Sequence, residues 1–232
     1  MYCDRTAGWA DQGLRAIVPH DVVAVAVIGD EPAAALLSDE ESALGQVADV
    51  RRREYTIARH CARRALGSIG IGPVPILSGP NREPLWPRDV VGSLTHCRGY
   101  CAAAVARRGR IISIGIDAEP HDPLPEDILP MVASPEECKF LETLAQNGVA
   151  WDRLMFSAKE SVYKAWFPLA ANWLGFKDVA MTIDAAAATF VARLLVRGPC
   201  VEGQTLAEIG GRFVIHDHFI VTAAVIGRDG LR

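Results

Sequence analysis

Lysine is scarce in this chain. Of 232 residues only Lys139, Lys159, Lys164 and Lys177 are lysines, and the other basic side chains are arginines. With 24 basic against 28 acidic side chains the net charge is −4, which excludes the broad basic face of a nucleic-acid binder but leaves room for a local basic pocket. Long apolar runs are missing too. The longest, VVAVAVIG at 22–29, falls far short of the roughly 20 residues that span a bilayer. The N-terminal stretch has early acids and no apolar core, so no signal peptide is expected. The six cysteines form neither a CxxC pair nor a dense framework, a usage that fits reduced thiols and a cytoplasmic protein. There is no G-x-x-x-x-G-K-[ST] loop and no G-x-G-x-x-G fingerprint, which argues against P-loop and Rossmann nucleotide sites. His60–Cys61 and His96–Cys97 lack zinc-ligand spacing, and HDH at 216–218 reads as a hairpin turn with Asp217 at its tip.

What is present divides into two halves. DVVAVAVIGD reads as a buried strand, SDEE at Ser38–Glu41 is a capping-box pattern opening a helical region, and RRREYTIARHCARRALGSIG reads as a helix ending at glycine. A loop dense in proline and glycine follows, then three strands, VVGSLTHC, YCAAAVAR and RIISIGIDAEP. Helical segments are expected from about 134 to 167. The remainder reads as strands, DVAMTID, TFVARLLV and the hairpin RFVIHDHFIVTAAVIG. Each half runs strand, helix, further strands. The expectation is an α+β fold of two similar α/β lobes, 1–112 and 113–232, with a ligand site where they meet.

Three patterns could carry chemistry. In ISIGIDAEP, alternate side chains share a face. Ile112, Ile114 and Ile116 lie on one side and Ser113, Gly115, Asp117 and Glu119 on the other, so the small residues leave room for something to approach. Two carboxylates at a strand end suit Mg²⁺, although a solvated strand end reads the same way. In FSAKESVYKAW, helical phase puts Trp151, Met155, Ala158, Val162 and Ala165 on one side and Phe156, Tyr163 and Phe167 on the other, interleaved with Glu160 and Lys164. A helix apolar on both faces is covered on both faces, and that shields Glu160. Glu160 and Lys164 are then an ordinary i,i+4 ion pair, or a third metal carboxylate beside cations that hold phosphate. The third pattern is the basic helix, in which Arg52, Arg59 and Arg63 share a face flanked by Arg51 and Arg53. It is either solvated or an anion site, with Ser93, Thr95 and His96 of GSLTHC as further phosphate donors. The set fits a metal-bound polyphosphate ligand better than a protease or glycosidase.

SLTHC, GIDAEP and FSAKESVYKAW, in this order and spacing, resemble the 4'-phosphopantetheinyl transferases of the surfactin-synthetase type. RHCAR, GIDAEPHD and KAWFPLAANWLGF are most similar to the actinobacterial branch. The likeness is strong from Arg51 to Phe176. It implies a pseudo-twofold, two-lobed monomer with coenzyme A in the cleft and Mg²⁺ or Mn²⁺ bridging the coenzyme diphosphate and the protein. The implied reaction moves the phosphopantetheine arm onto a serine of an apo acyl or peptidyl carrier protein and releases adenosine 3',5'-bisphosphate. By the resemblance, Asp117, Glu119 and Glu160 hold the metal, with Glu160 also the general base. Lys159 and Lys164 hold the coenzyme phosphates, and Arg51, Arg59, Thr95 and His96 hold the 3'-phosphate. Helical phase alone prefers Arg52 to Arg51. Where relatives often carry lysine this chain has Ser78 and Asn81, and Arg82 is the candidate substitute. WFPLAANWLGF at 166–176 either packs on the second lobe or meets the carrier. Fatty-acid, polyketide, peptide-synthetase and siderophore carriers all remain open. Two other classes fit the same residues: a Mg²⁺-dependent hydrolase of the coenzyme A diphosphate, and a non-catalytic coenzyme-binding module.

Overall fold

The computed structural model describes residues 6–144, 147–216 and 218–230. The expected turn tip, Asp217, lies outside them. The elements in order are α1 (Thr6–Ile17), β1 (Val23–Ile28), α2 (Ser38–Leu44), α3 (Asp49–Ser68), β2 (Val90–Cys97), β3 (Tyr100–Arg107), β4 (Ile111–Pro120), α4 (Leu129–Val132), α5 (Pro135–Thr143), α6 (Trp151–Ala170), β5 (Val179–Asp184), β6 (Thr189–Leu194), the short pair β7 (Cys200–Val201) and β8 (Gln204–Thr205), β9 (Glu208–Ile215) and β10 (Phe219–Gly227). Helix α1 is absent from the sequence reading, because Gly8 and Gly13 weaken its helical propensity and no run of alternating residues marks it. At α2 the box closes one residue early. Glu40, not Glu41, turns back to accept the Leu37 N–H at 3.0 Å.

No sequence repeat is visible, but the topology repeats. The first sheet is ordered β1-β3-β2, and the second β4-β10-β9-β6-β5. In each, the opening strand pairs antiparallel with the lobe's last strand, which pairs antiparallel with the strand before it. A 20-residue helix, α3 or α6, lies between the opening strand and that hairpin. The second lobe adds β5 and β6 at the far edge. These are the two similar α/β lobes that the sequence leads one to expect.

Alternation along the strands builds four layers. Val25, Val27, Ala103 and Val105 face Ile57, Cys61, Ala65 and Leu66 of α3. Their neighbours Ala24, Ala26, Ala102 and Ala104 share one core with Leu14 and Ile17 of α1 and with Ile114, Ile116, Val221 and Ala223 of the second sheet. The opposite face of the second sheet meets Leu154, Met155, Ala158, Val162 and Ala165 of α6. The small residues of β4 admit this helix, not a ligand. A Cβ on Gly115 would stand 1.9 Å from the Ser161 carbonyl oxygen and 2.5 Å from the Ala165 amide nitrogen, and Ser113 donates to the Ala165 carbonyl at 2.6 Å. Gly115→Ala should therefore force α6 off β4 and cost about 1–3 kcal/mol. Denaturant unfolding measures it, and an unchanged midpoint would contradict the close contact.

Edge strands β2 and β4 meet without a ladder. The hydroxyls of Ser93 and Thr95 instead accept the backbone N–H groups of Ile116 and Ala118, at 3.1 Å each. Side chains thus satisfy an edge that would otherwise leave buried donors unpaired.

Candidate active site

A cleft of about 570 Å³ opens beside this seam, within the range of small-ligand sites. The first lobe supplies Arg51 and Arg59 from α3, residues 81–84 and Trp86, and β2 from Gly92 to His96. The second lobe supplies Tyr163, Lys164 and Phe167 from α6. Its chemistry is basic at one end and aromatic elsewhere.

At the basic end, helix α3 brings in Arg51 rather than Arg52. Arg51 pairs with His96 Nε2, whereas Arg52 turns away to Glu41 and the Gly45 carbonyl. His96 also faces Glu54, 3.4 Å from Nδ1. Burial pulls its pKa down, Glu54 opposes this, and Arg51 adds to it; a guanidinium only donates, so Nε2 is the acceptor of this pair. Arg59 is buried, stacked 3.5 Å over the centre of the Tyr55 ring, and donates to the Ile76 carbonyl and to Ser78 Oγ. Ser78 is thus part of the cleft wall's scaffold. Arg82 is exposed on a tight loop (φ 67°) and lines the cleft together with Asn81. Glu83 closes that loop over Gly79 and accepts the Asn81 N–H at 2.9 Å.

The carboxylates lie where β4 runs beneath α6. Asp117 is buried with both oxygens engaged. Oδ1 accepts from Lys164 at 2.7 Å and from Thr95 at 3.2 Å, and Oδ2 accepts from Ser157 at 2.8 Å. Ser157 in turn lies 3.0 Å from Thr222 Oγ1 on β10, the residue directly paired with Asp117 across the sheet. Thr95 therefore spends its hydroxyl at the seam, on Asp117 and the Ala118 N–H. Glu119 meets Arg153 Nη1 at 2.9 Å. Burial pushes the Glu119 carboxyl up to about 7, with the Asp117 charge adding and Arg153 opposing. Glu160 is half-buried in a shallow groove among Tyr163, Trp173, Leu174 and Phe176. It has no protein hydrogen bond among the described residues. Burial raises its pKa, Lys164 opposes this, and Asp117 raises it further.

Lys159 stands elsewhere. Its ammonium is buried and gives its three hydrogens to the Val132 carbonyl (2.9 Å), Glu137 (2.7 Å) and the Phe176 carbonyl (2.8 Å). The expectation that it holds a coenzyme phosphate is corrected on this geometry, because no donor is left over. Helical phase carries the signal, since Met155, Lys159, Val162 and Trp166 run down one buried side. Residues 166–176 divide: Trp166 and Leu174 are buried, whereas Trp173 is 74% exposed and rests on Tyr163 with ring centres 4.7 Å apart.

Asp117, Glu119 and Glu160 are hard oxygen donors, and the Asp117 charge helps to raise the pKa of both Glu119 and Glu160. That repulsion is what a divalent cation relieves. Among the described residues no three His, Cys, Asp or Glu side chains already converge as a metal cage. Carboxylate oxygens are the donor type that suits Mg²⁺, which takes one or two protein carboxylates and completes its shell with water and substrate phosphates.

A two-lobed α+β fold with carboxylates beside a basic interlobe cleft suits an anionic ligand, and comparison with known proteins identifies the family. Residues 39–106 match the 4'-phosphopantetheinyl transferase N-terminal domain, and residues 113–215 match the 4'-phosphopantetheinyl transferase superfamily. The chain is 45% identical over 199 residues to the 4'-phosphopantetheinyl transferase Svp of Streptomyces mobaraensis, covering 85% of this chain and 81% of the relative. It is 40% identical over 217 residues to PptT of Mycobacterium tuberculosis (92% and 96%), and 48% identical over 192 residues to Npt of Nocardia iowensis (79% and 86%). The chain belongs to the 4'-phosphopantetheinyl transferase superfamily. No helix among the described residues is long and apolar enough to cross a membrane.

Proposed function

We propose that this protein transfers the 4'-phosphopantetheine arm of coenzyme A to a serine of apo acyl or peptidyl carrier proteins, as a monomeric cytoplasmic enzyme of the surfactin-synthetase type in its actinobacterial branch. The observation that carries this reading is the run of Lys164, Asp117 and Glu160 from the basic cleft into the groove that Glu160 faces. A hydrolase would need the same carboxylates, but the relatives at 40–48% identity are named as transferases.

In this reading Arg51, Arg59, His96 and Arg82 receive the 3'-phosphate and adenosine end, with Thr95 shaping the floor. Lys164, on the α6 side of the cleft, meets the diphosphate as a compact point charge. Asp117, Glu119 and Glu160 hold Mg²⁺ or Mn²⁺. A divalent cation bound there supplies Lewis-acid stabilisation of the departing phosphate oxygen. Glu160 accepts the proton of the carrier serine as that hydroxyl attacks the β-phosphorus of coenzyme A. The bond to the bridging oxygen breaks, and adenosine 3',5'-bisphosphate leaves with charge stabilised by Lys164. The first lobe, 1–112, then serves the nucleotide and the second, 113–232, the metal and base.

Two measurements test this reading. Release of adenosine 3',5'-bisphosphate should require an apo carrier, and release without carrier would favour the hydrolase. The exposed Trp173 beside the groove is proposed to meet the carrier. Trp173→Ala should raise the carrier KM about tenfold, as for a truncated interface aromatic, with the coenzyme KM little changed. An unchanged carrier KM in a folded variant would sink that role.

A further inference from the structure

Lys164 has two employers. Its ammonium donates to Asp117 Oδ1 at 2.7 Å and to the Ile116 carbonyl at 3.0 Å, yet the residue also lines the cleft and is 27% exposed. Asp117 has no oxygen to spare. Ser157 holds Oδ2 from a fully buried hydroxyl, and Lys164 and Thr95 share Oδ1. Thr95 is fixed at the β2–β4 seam and Ser157 is tied to Thr222 on β10. Of the three donors on Asp117, Lys164 alone is charged, partly exposed and carried on a long flexible side chain. It is the one that can leave.

Glu119 has a contrasting partner. Arg153 donates not only to Glu119 but also to the carbonyls of Asp122 and Pro123. Its neighbour Asp152 accepts the Leu124 N–H at 2.8 Å. The first turn of α6 thus grips the 119–124 segment at several points and keeps Arg153 in place. One helix delivers a fixed cation to Glu119 and a releasable one to Asp117.

We propose that Lys164 is a gate on the metal site, holding Asp117 closed to a divalent cation until the diphosphate of coenzyme A draws its ammonium away. The inference rests on the transferase reading of the site and adds an order to it: coenzyme and metal bind cooperatively through Lys164. Two cations cannot share Asp117 Oδ1 without strong repulsion, so closing the gate lowers metal affinity. A ligand that binds Lys164 better than Asp117 does removes the obstacle. By linkage, the metal must strengthen coenzyme A binding by the same factor.

The test uses the full-length protein, coenzyme A and no carrier, so that nothing turns over. Mn²⁺ binding is followed by the loss of the free-ion electron paramagnetic resonance signal. Wild-type protein should bind Mn²⁺ at least about tenfold more tightly with saturating coenzyme A, after subtraction of Mn²⁺ held by the coenzyme alone, within the usual range of site coupling. Lys164→Gln should bind Mn²⁺ more tightly than wild type without coenzyme, and the further gain from coenzyme should be smaller than in wild type, limited to what the diphosphate itself ligates. Lys164→Met removes the charge without offering a new amide ligand and should do the same. Equal Mn²⁺ affinity of wild type with and without coenzyme would overturn the gate, as would free variants that bind Mn²⁺ no better than free wild type. Carrier modification that persists alongside either result leaves the transferase reading intact. Failure to bind coenzyme A at all would defeat that reading itself.

Discussion

Replacing Glu160 by glutamine is expected to lower kcat by about 10²–10⁴-fold, the range typical of a lost general base, with the fold intact. The side chain is half-buried and supports no neighbour through a hydrogen bond among the described residues. Its removal therefore orphans nothing, and glutamine fills the same volume. The sign of the pH dependence follows from the carboxyl's environment. Burial, helped by Asp117, raises the Glu160 pKa against the opposing Lys164. A base works only when ionised, so wild-type turnover should fall as pH drops through the Glu160 pKa, which the raised value of the metal-free site bounds from above because a bound cation lowers it. Glutamine does not titrate, so the variant should lose that part of the acidic limb. Product release across pH and thermal unfolding check both halves. Turnover near wild type would refute the base, and a large drop in melting temperature would show that Glu160 is structural after all.

The second large effect centres on Glu137, the partner of Lys159, and has a different nature. Glu137→Ala should destabilise the protein by about 3–5 kcal/mol, as expected when one member of a buried ion pair is removed. Glu137 is the hub of the second lobe. Its carboxylate accepts from Lys159 (2.7 Å), the Ser134 N–H that it caps (2.8 Å) and the Met181 N–H of β5 (2.7 Å). Lys159 adds the carbonyls at the end of α4 and at Phe176. The pair thus ties α4, α5, α6, β5 and the 176 turn together beside Glu160. Truncating either partner strands the other charge. The double variant Lys159→Met/Glu137→Gln leaves no ion unpaired and should recover part of the loss. Urea unfolding of the single and double variants measures this. A loss below about 1 kcal/mol, the level of an exposed pair, would contradict it. So would a Lys159→Met variant of unchanged stability whose coenzyme KM rises, because that is the signature of a phosphate ligand.

Much of this site is legible in the sequence, and the reasons are local. The two-faced pattern of α6 requires cover on both sides, and α6 lies against the second sheet on one side and along the cleft on the other. Alternation along β4 places Asp117 and Glu119 on one face. What escapes is whatever depends on one polar residue meeting another far along the chain. Thr222 is a lone hydroxyl in an apolar strand, 65 residues from the Ser157 it meets. Arg153 reads as a routine charge in a helix's first turn until the fold brings it to Glu119. Gly115 reads as open space, and only the packed helix shows that it is a point of contact. Arg51 and Arg52 are one residue apart and equally basic, and the choice between them is made by His96, which arrives from β2. Lys159 is the instructive case, because its phase marks it as buried while its place in the motif suggests a ligand.

The proposed reaction is transfer of an intact phosphopantetheine arm to a carrier serine. Intact mass spectrometry of apo acyl and peptidyl carriers, incubated with this protein, coenzyme A and Mg²⁺, tests it most directly. A gain of about 340 Da is expected on at least one carrier, the mass of the arm delivered by the metal-assisted displacement, and the gain should be lost when the carrier serine is replaced by alanine. Unmodified carriers with coenzyme A consumed would contradict it and make the protein a hydrolase.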